Sequence, residues 1–258
     1  MGFTFFLLIL TISSVVASPN PPFNQIHLLM PHSGSAGLKH PDLDCLSWRL
    51  AVEVHNIQNW KQVPGECKTY VEHYMLGEQY RKDFDIVTEE AYKYAKGLNI
   101  TKDGKDIWVF DIDETSLSNL RFWASDNAAF GTIPLNITLF VKWVEEETAP
   151  AIPGALKLYK QLIELGFKIV FMTGLDEAYG EIRSKNMKYV GYTTWEKIIY
   201  NKASEGSGVV YKQAKRKELE EVFGYRIRGN VGDQWSDLLG TNPGDRTFKV
   251  PNPMYYVA

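Results

Sequence analysis

The sequence predicts an α/β fold, a sheet of parallel strands flanked by helices, and three patterns support this prediction. Residues 107–110 are apolar, and so are 169–172, which follow Lys168; both segments are rich in β-branched and aromatic side chains, as is typical of strands buried on both faces. Polar residues follow each segment directly, where the carboxyl ends of parallel strands place ligands. Between the two segments, 152–165 has helical spacing, with a proline near its start and Gly166 after its end.

The remaining elements follow in chain order. Apolar residues recur at helical spacing over 69–98, and Gly97 is a suitable helix stop. Aromatic residues in 119–147 belong either to the core or to the entrance of a ligand site. Further helices are predicted over 176–189 and 211–222, and further strands over 197–201, 225–231 and 247–250.

The first strand runs directly into a pair of aspartates. Because side chains alternate along a strand, Asp111 and Asp113 are expected to project to the same side. Two such carboxylates repel each other unless a cation lies between them. A hard divalent ion with oxygen ligands, Mg²⁺ above all, suits this pair. Taken alone, an Asp-x-Asp pair after a strand also fits an ordinary turn or helix cap.

Two later motifs carry groups that suit a phosphate. Thr173 and Gly174 end the second strand, and a hydroxyl with backbone N–H groups at a helix start suits a phosphate oxygen. Lys212 and Lys215 lie near the start of the charged helical segment 211–222. One of these lysines would offset the negative charge of a site that holds carboxylates and phosphate.

The last motif returns two acids to a strand end. Asp233 and Asp237 follow the strand-like segment 225–231 in a Gly-Asp-x-x-x-Asp pattern, and they can complete a metal shell. Four signals in one order, three of them at strand ends, favour a common ligand site over unrelated caps.

Together these motifs resemble those of the haloacid-dehalogenase superfamily of phosphatases. The residues concerned are Asp111-x-Asp113-x-Thr115, Thr173, Lys212 and Asp233-x-x-x-Asp237. The resemblance implies a Rossmann-like sheet with a small helical cap, and an aspartyl-phosphate mechanism. In that mechanism Asp111 is the nucleophile, and Asp113 protonates the leaving alcohol and then deprotonates water.

The same resemblance assigns the metal and substrate contacts. It implies Mg²⁺ bound by the Asp111 side chain, the Asp113 backbone carbonyl and Asp233, with Asp237 in support. The substrate would be bound by hydroxyl, backbone and ammonium groups, namely those of Thr115, Thr173, Gly174 and Lys212. Lys215 is the alternative to Lys212.

The chain is predicted to enter the secretory pathway. Residues 1–17 have the apolar core and small final residues of a cleaved signal peptide, with an uncleaved anchor as the alternative. A loosely ordered arm is predicted over residues 18–41. The phosphatase domain is predicted over 42–258, with helical cap elements around 69–98 and 119–147. A net charge of −3 gives no indication of nucleic-acid binding.

Cysteines and glycosylation sequons fit that compartment. In a secreted chain, Cys45 and Cys67 predict one disulfide, and two free buried thiols are the alternative. Asn99 and Asn136 each begin an Asn-x-Thr sequon and are predicted glycosylation sites.

Segments 45–49, 60–64, 66–67 and 232–240 add a second resemblance, to the plant acid phosphatase and vegetative storage protein family. It implies a secreted or vacuolar acid phosphatase acting on small phosphate monoesters. From charge and hydropathy we expect no nucleic-acid partner and, after signal removal, no membrane partner, while the oligomeric state, monomer or homodimer, is left open. The alternative is a vegetative storage glycoprotein with weak or no activity, since some storage members lack the nucleophilic aspartate. Asp111 is present here, which favours an enzyme. A phosphotransferase would use the same residues.

Two rival phosphatase chemistries lack their residues. All five histidines lie at or before His73, so none follows the first motif, which argues against a phosphohistidine mechanism. Neither cysteine begins a Cys-(x)5-Arg phosphate loop.

Overall fold

A five-stranded parallel sheet lies at the centre of the protein. The computed structural model describes residues 43–202, 206 and 208–257, so the signal peptide predicted for 1–17 and the arm predicted for 18–41 lie outside the described residues. The strands stand in the spatial order β3-β2-β1-β4-β5. They are β1 (Asp106–Asp111), β2 (Lys168–Asp176), β3 (Lys197–Asn201), β4 (Arg226–Gly232) and β5 (Thr247–Lys249). The predicted α/β class with a parallel sheet is confirmed.

The strand order places a ligand crevice beside β1. The chain moves outward from β1 through β2 to β3 and then crosses back to β4, on the other side of β1. Val109 at the centre of β1 pairs with Val170 on one side and Asn230 on the other. Ligands of open α/β sheets bind outside the carboxyl ends of the strands where the order reverses. That point lies between the ends of β1 and β4.

Helices lie on both sides of the sheet. The helices are α1 (Leu43–Glu53), α2 (Lys68–Leu76), α3 (Glu78–Lys96), α4 (Leu120–Trp123), α5 (Ile137–Glu145), α6 (Pro153–Leu165), α7 (Gly180–Tyr189), α8 (Gly208–Lys217) and α9 (Trp235–Leu238). A π-helical turn, Glu218–Val222, continues α8. Short 3-10 turns lie at Gly65–Cys67, Ala129–Gly131 and Glu177–Tyr179.

Alternation along β1 divides the core between the two faces of the sheet. Trp108 and Phe110 belong to the larger core cluster, which includes residues of α3 and α6, whereas Ile107 and Val109 belong to a second cluster that includes Tyr211 of α8. Gly229 is required opposite Trp108, because a Cβ there would lie 2.5 Å from the indole ring. By the same alternation, the side chain of Asp111 follows Val109 toward α8.

Several helix predictions hold, and others need correction. The helix predicted over 152–165 is present as α6, with Pro153 in its first turn and Gly166 in the left-handed conformation at φ 99°. The helical segment predicted over 69–98 is present but divided into two helices, because Gly77 separates α2 from α3. A Cβ on Gly77 would lie 2.4 Å from the His73 carbonyl oxygen. The helix predicted over 211–222 begins earlier, at Gly208, and ends in the π-helical turn.

The two segments predicted to form a cap take different positions. Helix α3 packs along α6, and its buried residues share the core with the sheet. Residues 119–147 form α4, a 3-10 turn and α5, and several of their side chains line a cavity described below. The assignment of both segments to a cap stays a prediction.

The covalent features predicted for a secreted chain lie where they are chemically feasible. Cys45 of α1 and Cys67 form a disulfide with a Cα–Cα distance of 5.3 Å, so the predicted pairing is present. Asn99 and Asn136 are both exposed, and their glycosylation stays a prediction. The Oδ1 atom of Asn136 accepts a hydrogen bond from Leu139 N at the start of α5, which leaves its amide nitrogen available. None of the helices in the described ranges is long and apolar enough to cross a lipid bilayer.

Candidate active site

A cavity of about 550 Å³ lies at the carboxyl ends of the strands. Its floor contains residues that end or follow β1, β2 and β4, among them Asp111, Gly174 and Asp233. Its walls come from 119–147 and from the C-terminal residues 254–257. The volume is within the range of sites for small molecules. The location is the one expected from the strand order.

Three aspartates form a buried cluster in the floor. Asp111 ends β1, Asp233 follows β4, and Asp237 lies on α9. Each offers a carboxylate oxygen, and these oxygens lie within 4.8 Å of one another. Gly232 allows this approach, because a Cβ there would lie 2.3 Å from the Asp237 side chain. The β1 and β4 motifs predicted from the sequence therefore meet at one point.

Lys212 is the cation of this cluster. Its Nζ lies 2.5 Å from Asp111 Oδ1 and also donates to Asp237 Oδ1. Burial alone would lower the pKa of Lys212, but Asp111 and Asp237 raise it above the ordinary value, so the ammonium stays charged. Lys215, the alternative, is instead ion-paired with Glu218 at 3.6 Å. Of the two lysines, Lys212 reaches the cluster.

The cluster carries more negative than positive charge. Three carboxylates face one ammonium, which leaves two negative charges without a paired cation among these four residues. Burial, and then the nearby Asp237, raises the pKa of Asp111 well above its usual range. Carboxylate oxygens in this number and proximity suit a hard divalent cation. The residues present therefore fit a hard divalent cation in charge and in donor type.

Neighbouring side chains fix the Asp233 carboxylate. Thr115 Oγ1 donates to Asp233 Oδ1 at 3.0 Å. Asn252 Nδ2 and Gln234 Nε2 donate to Oδ2 at 2.7 Å and 2.8 Å. Thr115 was expected to contact substrate, but it is fully buried and its hydroxyl is committed to Asp233. Its position is that of a residue that orients a carboxylate.

Asp113 faces a different environment from Asp111. Strand β1 ends at Asp111, and the chain then turns, with Ser116 Oγ donating to Asp111 O and Leu117 N to Ile112 O. Strand alternation therefore does not extend to Asp113, and its side chain is not a member of the three-aspartate cluster. The expectation that both side chains share one cation is wrong for this reason. The Asp113 backbone carbonyl as a metal ligand stays a prediction.

The Asp113 carboxylate accepts three hydrogen bonds. Thr173 Oγ1 donates to Oδ2 at 3.0 Å, and Asn119 Nδ2 donates to Oδ1 at 2.9 Å. Arg183 Nη2 forms an ion pair with Oδ1. The Thr173 hydroxyl is thus directed at Asp113, and it also accepts from Leu175 N at 3.0 Å.

The second strand is longer than predicted. The strand was expected to end at Thr173 and Gly174, with a helix over 176–189, but β2 continues to Asp176, and α7 begins only at Gly180 after a 3-10 turn. The N–H groups of α7 are therefore not the phosphate donors expected at this position. Gly174 still lines the cavity.

Glu114 is a buried acid that the sequence patterns did not single out. It adopts a left-handed conformation with φ 57°. Its carboxylate accepts from Asn119 N at 2.6 Å and from Tyr255 OH at 3.1 Å. Burial, together with the nearby Asp113 and Asp233, raises the pKa of Glu114 to about 8. Glu114 thus links the first motif to the wall segment and to the C-terminal residues.

Comparison with known proteins identifies the family. Residues 33–258 match the HAD superfamily, subfamily IIIB (Acid phosphatase). The chain belongs to this acid phosphatase family. The predicted resemblance to haloacid-dehalogenase phosphatases is therefore confirmed.

Its relatives include both enzymes and storage proteins. Acid phosphatase 1 of Solanum lycopersicum is 42% identical over 218 residues, 84% of each chain. Stem 28 kDa glycoprotein of Glycine max is 44% identical over 225 residues, 86% of this chain and 87% of the relative. Vegetative storage protein 1 of Arabidopsis thaliana is 41% identical over 217 residues, 83% of this chain and 79% of the relative. The predicted resemblance to plant acid phosphatases and vegetative storage proteins is also confirmed.

A solved structure supports the fold. The class C acid phosphatase from Bacillus anthracis superposes with a TM-score of 0.59, covering 73% of this chain and 85% of that one at 21% identity.

The walls of this acid phosphatase-family site are largely apolar. Two wall residues, Trp123 and Tyr255, stack with ring centroids 4.8 Å apart. Phe140 also lines the cavity, whereas Phe130 is buried and Trp143 donates to Asn119 Oδ1 at 2.9 Å. The aromatic residues of 119–147 thus divide between the entrance and the core, the two possibilities that the sequence left open.

Arg183, Asn119, Asn252 and Tyr255 are site residues that sequence reasoning missed. They come from α7, the residue before α4 and the C-terminal residues, and each lies far along the chain from the partner it contacts or outside the recognised motifs. No local pattern distinguishes an arginine in α7 that pairs with a carboxylate from one that is solvated.

Proposed function

We propose that this chain hydrolyses phosphate monoesters through a covalent phosphoryl ester on Asp111. The observation that carries the proposal is the position of Asp111. Its carboxylate ends the central strand in the cavity floor, 2.5 Å from the Lys212 ammonium and beside two further carboxylates. A carboxylate beside fixed positive charge is suited to attack the phosphorus of an anionic ester.

The three-aspartate cluster would hold Mg²⁺, with the Asp113 backbone carbonyl as a further ligand. The support is the charge imbalance of the cluster and its all-oxygen donor set. When bound, Mg²⁺ would supply positive charge that offsets the phosphoryl oxygens and the repulsion between the carboxylates. Asp237 and Thr115 would support this arrangement through their contacts with Lys212 and Asp233.

Lys212 and the end of β2 would bind the transferring phosphoryl group. The Lys212 ammonium lies between Asp111 and Asp237, so its position matches the negative charge that the phosphoryl oxygens would add beside Asp111. Gly174 exposes backbone to the cavity, and the Thr173 hydroxyl lies next to Asp113. Fixed donors of this kind contribute most of the catalysis in phosphoryl transfer.

Asp113 would act as general acid and then as general base. It would protonate the oxygen of the leaving alcohol while Asp111 attacks phosphorus. It would then take a proton from the water that hydrolyses the ester on Asp111. The separate environments of Asp111 and Asp113 support separate roles for the two carboxylates.

The test is a panel of phosphate esters assayed on metal-stripped protein with and without added Mg²⁺. We expect negligible phosphate release after chelation and full recovery with Mg²⁺, because the cluster would otherwise repel the substrate. Full activity in metal-free protein would contradict the proposal.

A storage function is the second candidate, and the relatives named as vegetative storage proteins favour it. Storage and catalysis are separated by turnover number. A folded, Mg²⁺-loaded protein that releases no phosphate from any ester of the panel would be a storage protein. The presence of Asp111, Lys212 and the carboxylate cluster favours the enzyme.

Secretion or delivery to the vacuole is part of the proposal. The exposed sequon residues Asn99 and Asn136 support it, as does the Cys45–Cys67 disulfide. The protein expressed in plant cells should lose mass on treatment with an endoglycosidase. A mature protein that carries no glycan and still begins at Met1 would contradict this part.

A further inference from the structure

The two oxygens of the Asp113 carboxylate are held by different kinds of donor. Oδ1 accepts from two nitrogen donors, Arg183 Nη2 and Asn119 Nδ2. Oδ2 accepts from one hydroxyl, Thr173 Oγ1, at 3.0 Å. A guanidinium or amide N–H only donates, whereas a hydroxyl donates or accepts as it rotates. Oδ1 is therefore fixed as an acceptor, and Oδ2 is free to carry a proton.

Asn119 is itself fixed in orientation. Its Oδ1 accepts from Trp143 Nε1 at 2.9 Å, and its backbone N donates to Glu114 at 2.6 Å. Because the indole N–H only donates, the amide oxygen must face Trp143 and the NH₂ group must face Asp113. Asn119 is also fully buried, so water does not compete for these contacts.

Arg183 of α7 is unusual because its charged side chain is buried. Its side chain is 0% exposed, and Asp113 is its one ion-pair partner among the residues the structure describes. Its Nε and Nη1 atoms find no hydrogen-bond partner within those residues. A buried ion pair contributes little net stability, because desolvation of both charges offsets their attraction. The ion pair does, however, orient the Asp113 carboxylate, and this role accounts for a buried arginine where stability does not.

We infer that Arg183 and Asn119 are positioning residues for the acid–base step, and that Oδ2 of Asp113 exchanges the proton. The inference rests on the proposed function. As the bond between phosphorus and the alcohol oxygen breaks and the bond to Asp111 forms, Oδ2 gives its proton to the alcohol. Arg183 and Asn119 hold the resulting carboxylate by Oδ1. In the second half, a water oxygen bonds to phosphorus, the bond to Asp111 breaks, and Oδ2 receives a proton from that water.

Leaving groups that differ in their need for protonation test the inference. An alkyl ester such as glycerol phosphate needs a proton on its departing oxygen, whereas para-nitrophenolate leaves without one. We expect Arg183→Met to lower kcat/KM for the alkyl ester about 100-fold, within the usual contribution of a general acid, and for para-nitrophenyl phosphate less than about 10-fold. Asn119→Leu should show the same selectivity, and Arg183→Lys should recover part of the alkyl activity.

Lys185→Met is the matched control. Lys185 lies on the same helix, but it is exposed and paired with Glu181 at 3.1 Å. The Lys185→Met substitution should leave kcat/KM for both esters unchanged. If Arg183→Met does not fold, Arg183→Lys and Asn119→Leu carry the test.

Equal loss for both esters in folded variants would overturn the inference, since a structural role affects all substrates alike. In that case a wild type that cleaves both esters and an inactive Asp111→Asn variant would leave the proposed function intact. A wild type that cleaves neither ester would overturn the proposed function and the inference together.

Discussion

The two sides of the cavity floor differ in how their buried carboxylates are paired with cations. The carboxylate side consists of Asp111, Asp233 and Asp237 with Lys212, between β1, β4 and α8. The arginine side consists of Asp113 with Arg183, Asn119 and Thr173, toward β2 and α7. The first side has more carboxylates than cations, whereas the second has one of each and two neutral donors.

Asp111 and Asp113 are only two residues apart, yet their side chains lie in different chemical environments. Because β1 ends at Asp111, Asp111 keeps the direction of its strand, and Asp113 turns to the neighbouring side. An added cation would neutralise the unpaired carboxylates of the carboxylate side, whereas the single carboxylate of the arginine side is already ion-paired. Such a separation of environments is how one pair of carboxylates performs two roles.

The largest expected effect comes from Asp111→Asn. This change removes the nucleophile and one of three mutually repelling carboxylates, so we expect no measurable phosphate release and an unfolding temperature in metal-free buffer at or above the wild-type value. Phosphate release and thermal unfolding monitored by circular dichroism check the two expectations. Near-normal turnover would show that Asp111 is not the nucleophile, and the two sides of the floor would then not have the separate roles assigned to them.

An intermediate effect is expected from Asn252→Ala, which acts on the carboxylate side only. Asn252 Nδ2 donates to Asp233 Oδ2 at 2.7 Å, and loss of such a supporting contact lowers metal affinity roughly 10–100-fold. Calorimetric titration with Mg²⁺ measures the dissociation constant directly. Asn56→Ala, at an exposed position, is the control. An unchanged affinity in Asn252→Ala would show that Mg²⁺ binding does not depend on the contact between Asn252 and Asp233.

The smallest effect is expected at the wall, where Ile137→Ser changes an apolar residue that lines the cavity. We expect KM for an aryl phosphate to rise by up to about 10-fold and KM for glycerol phosphate to stay constant, because one apolar contact contributes little discrimination. Ile86→Ser is the control, since Ile86 and Ile137 are both 61% exposed and Ile86 does not line the cavity. An equal rise in KM for both esters would show that the cavity wall does not select the alcohol group of the substrate.

Much of the fold was predictable, since the apolar segments of β1 and β2 and the Pro153 and Gly166 signals of α6 are local. The break at Gly77 was not, because it depends on the close approach of the chain to the His73 carbonyl oxygen.

The site divides in the same way. Motif spacing brought Asp111, Asp233 and Lys212 together as expected, because strand ends in a parallel sheet share one edge. The orientation of Asp113 was mispredicted, since alternation stops where hydrogen bonds from Ser116 and Leu117 end the strand. Partners such as Arg183 arrive through tertiary packing, which spacing does not encode.

Covalent capture of the phosphoryl group tests the central proposal most directly. Protein quenched in acid during turnover is treated with borohydride, which reduces an aspartyl phosphate to homoserine, and the peptides are sequenced by mass spectrometry. We predict homoserine at position 111 in substrate-treated wild type and none in Asp111→Asn. Turnover with homoserine at another aspartate, or with none, would contradict Asp111 as the nucleophile.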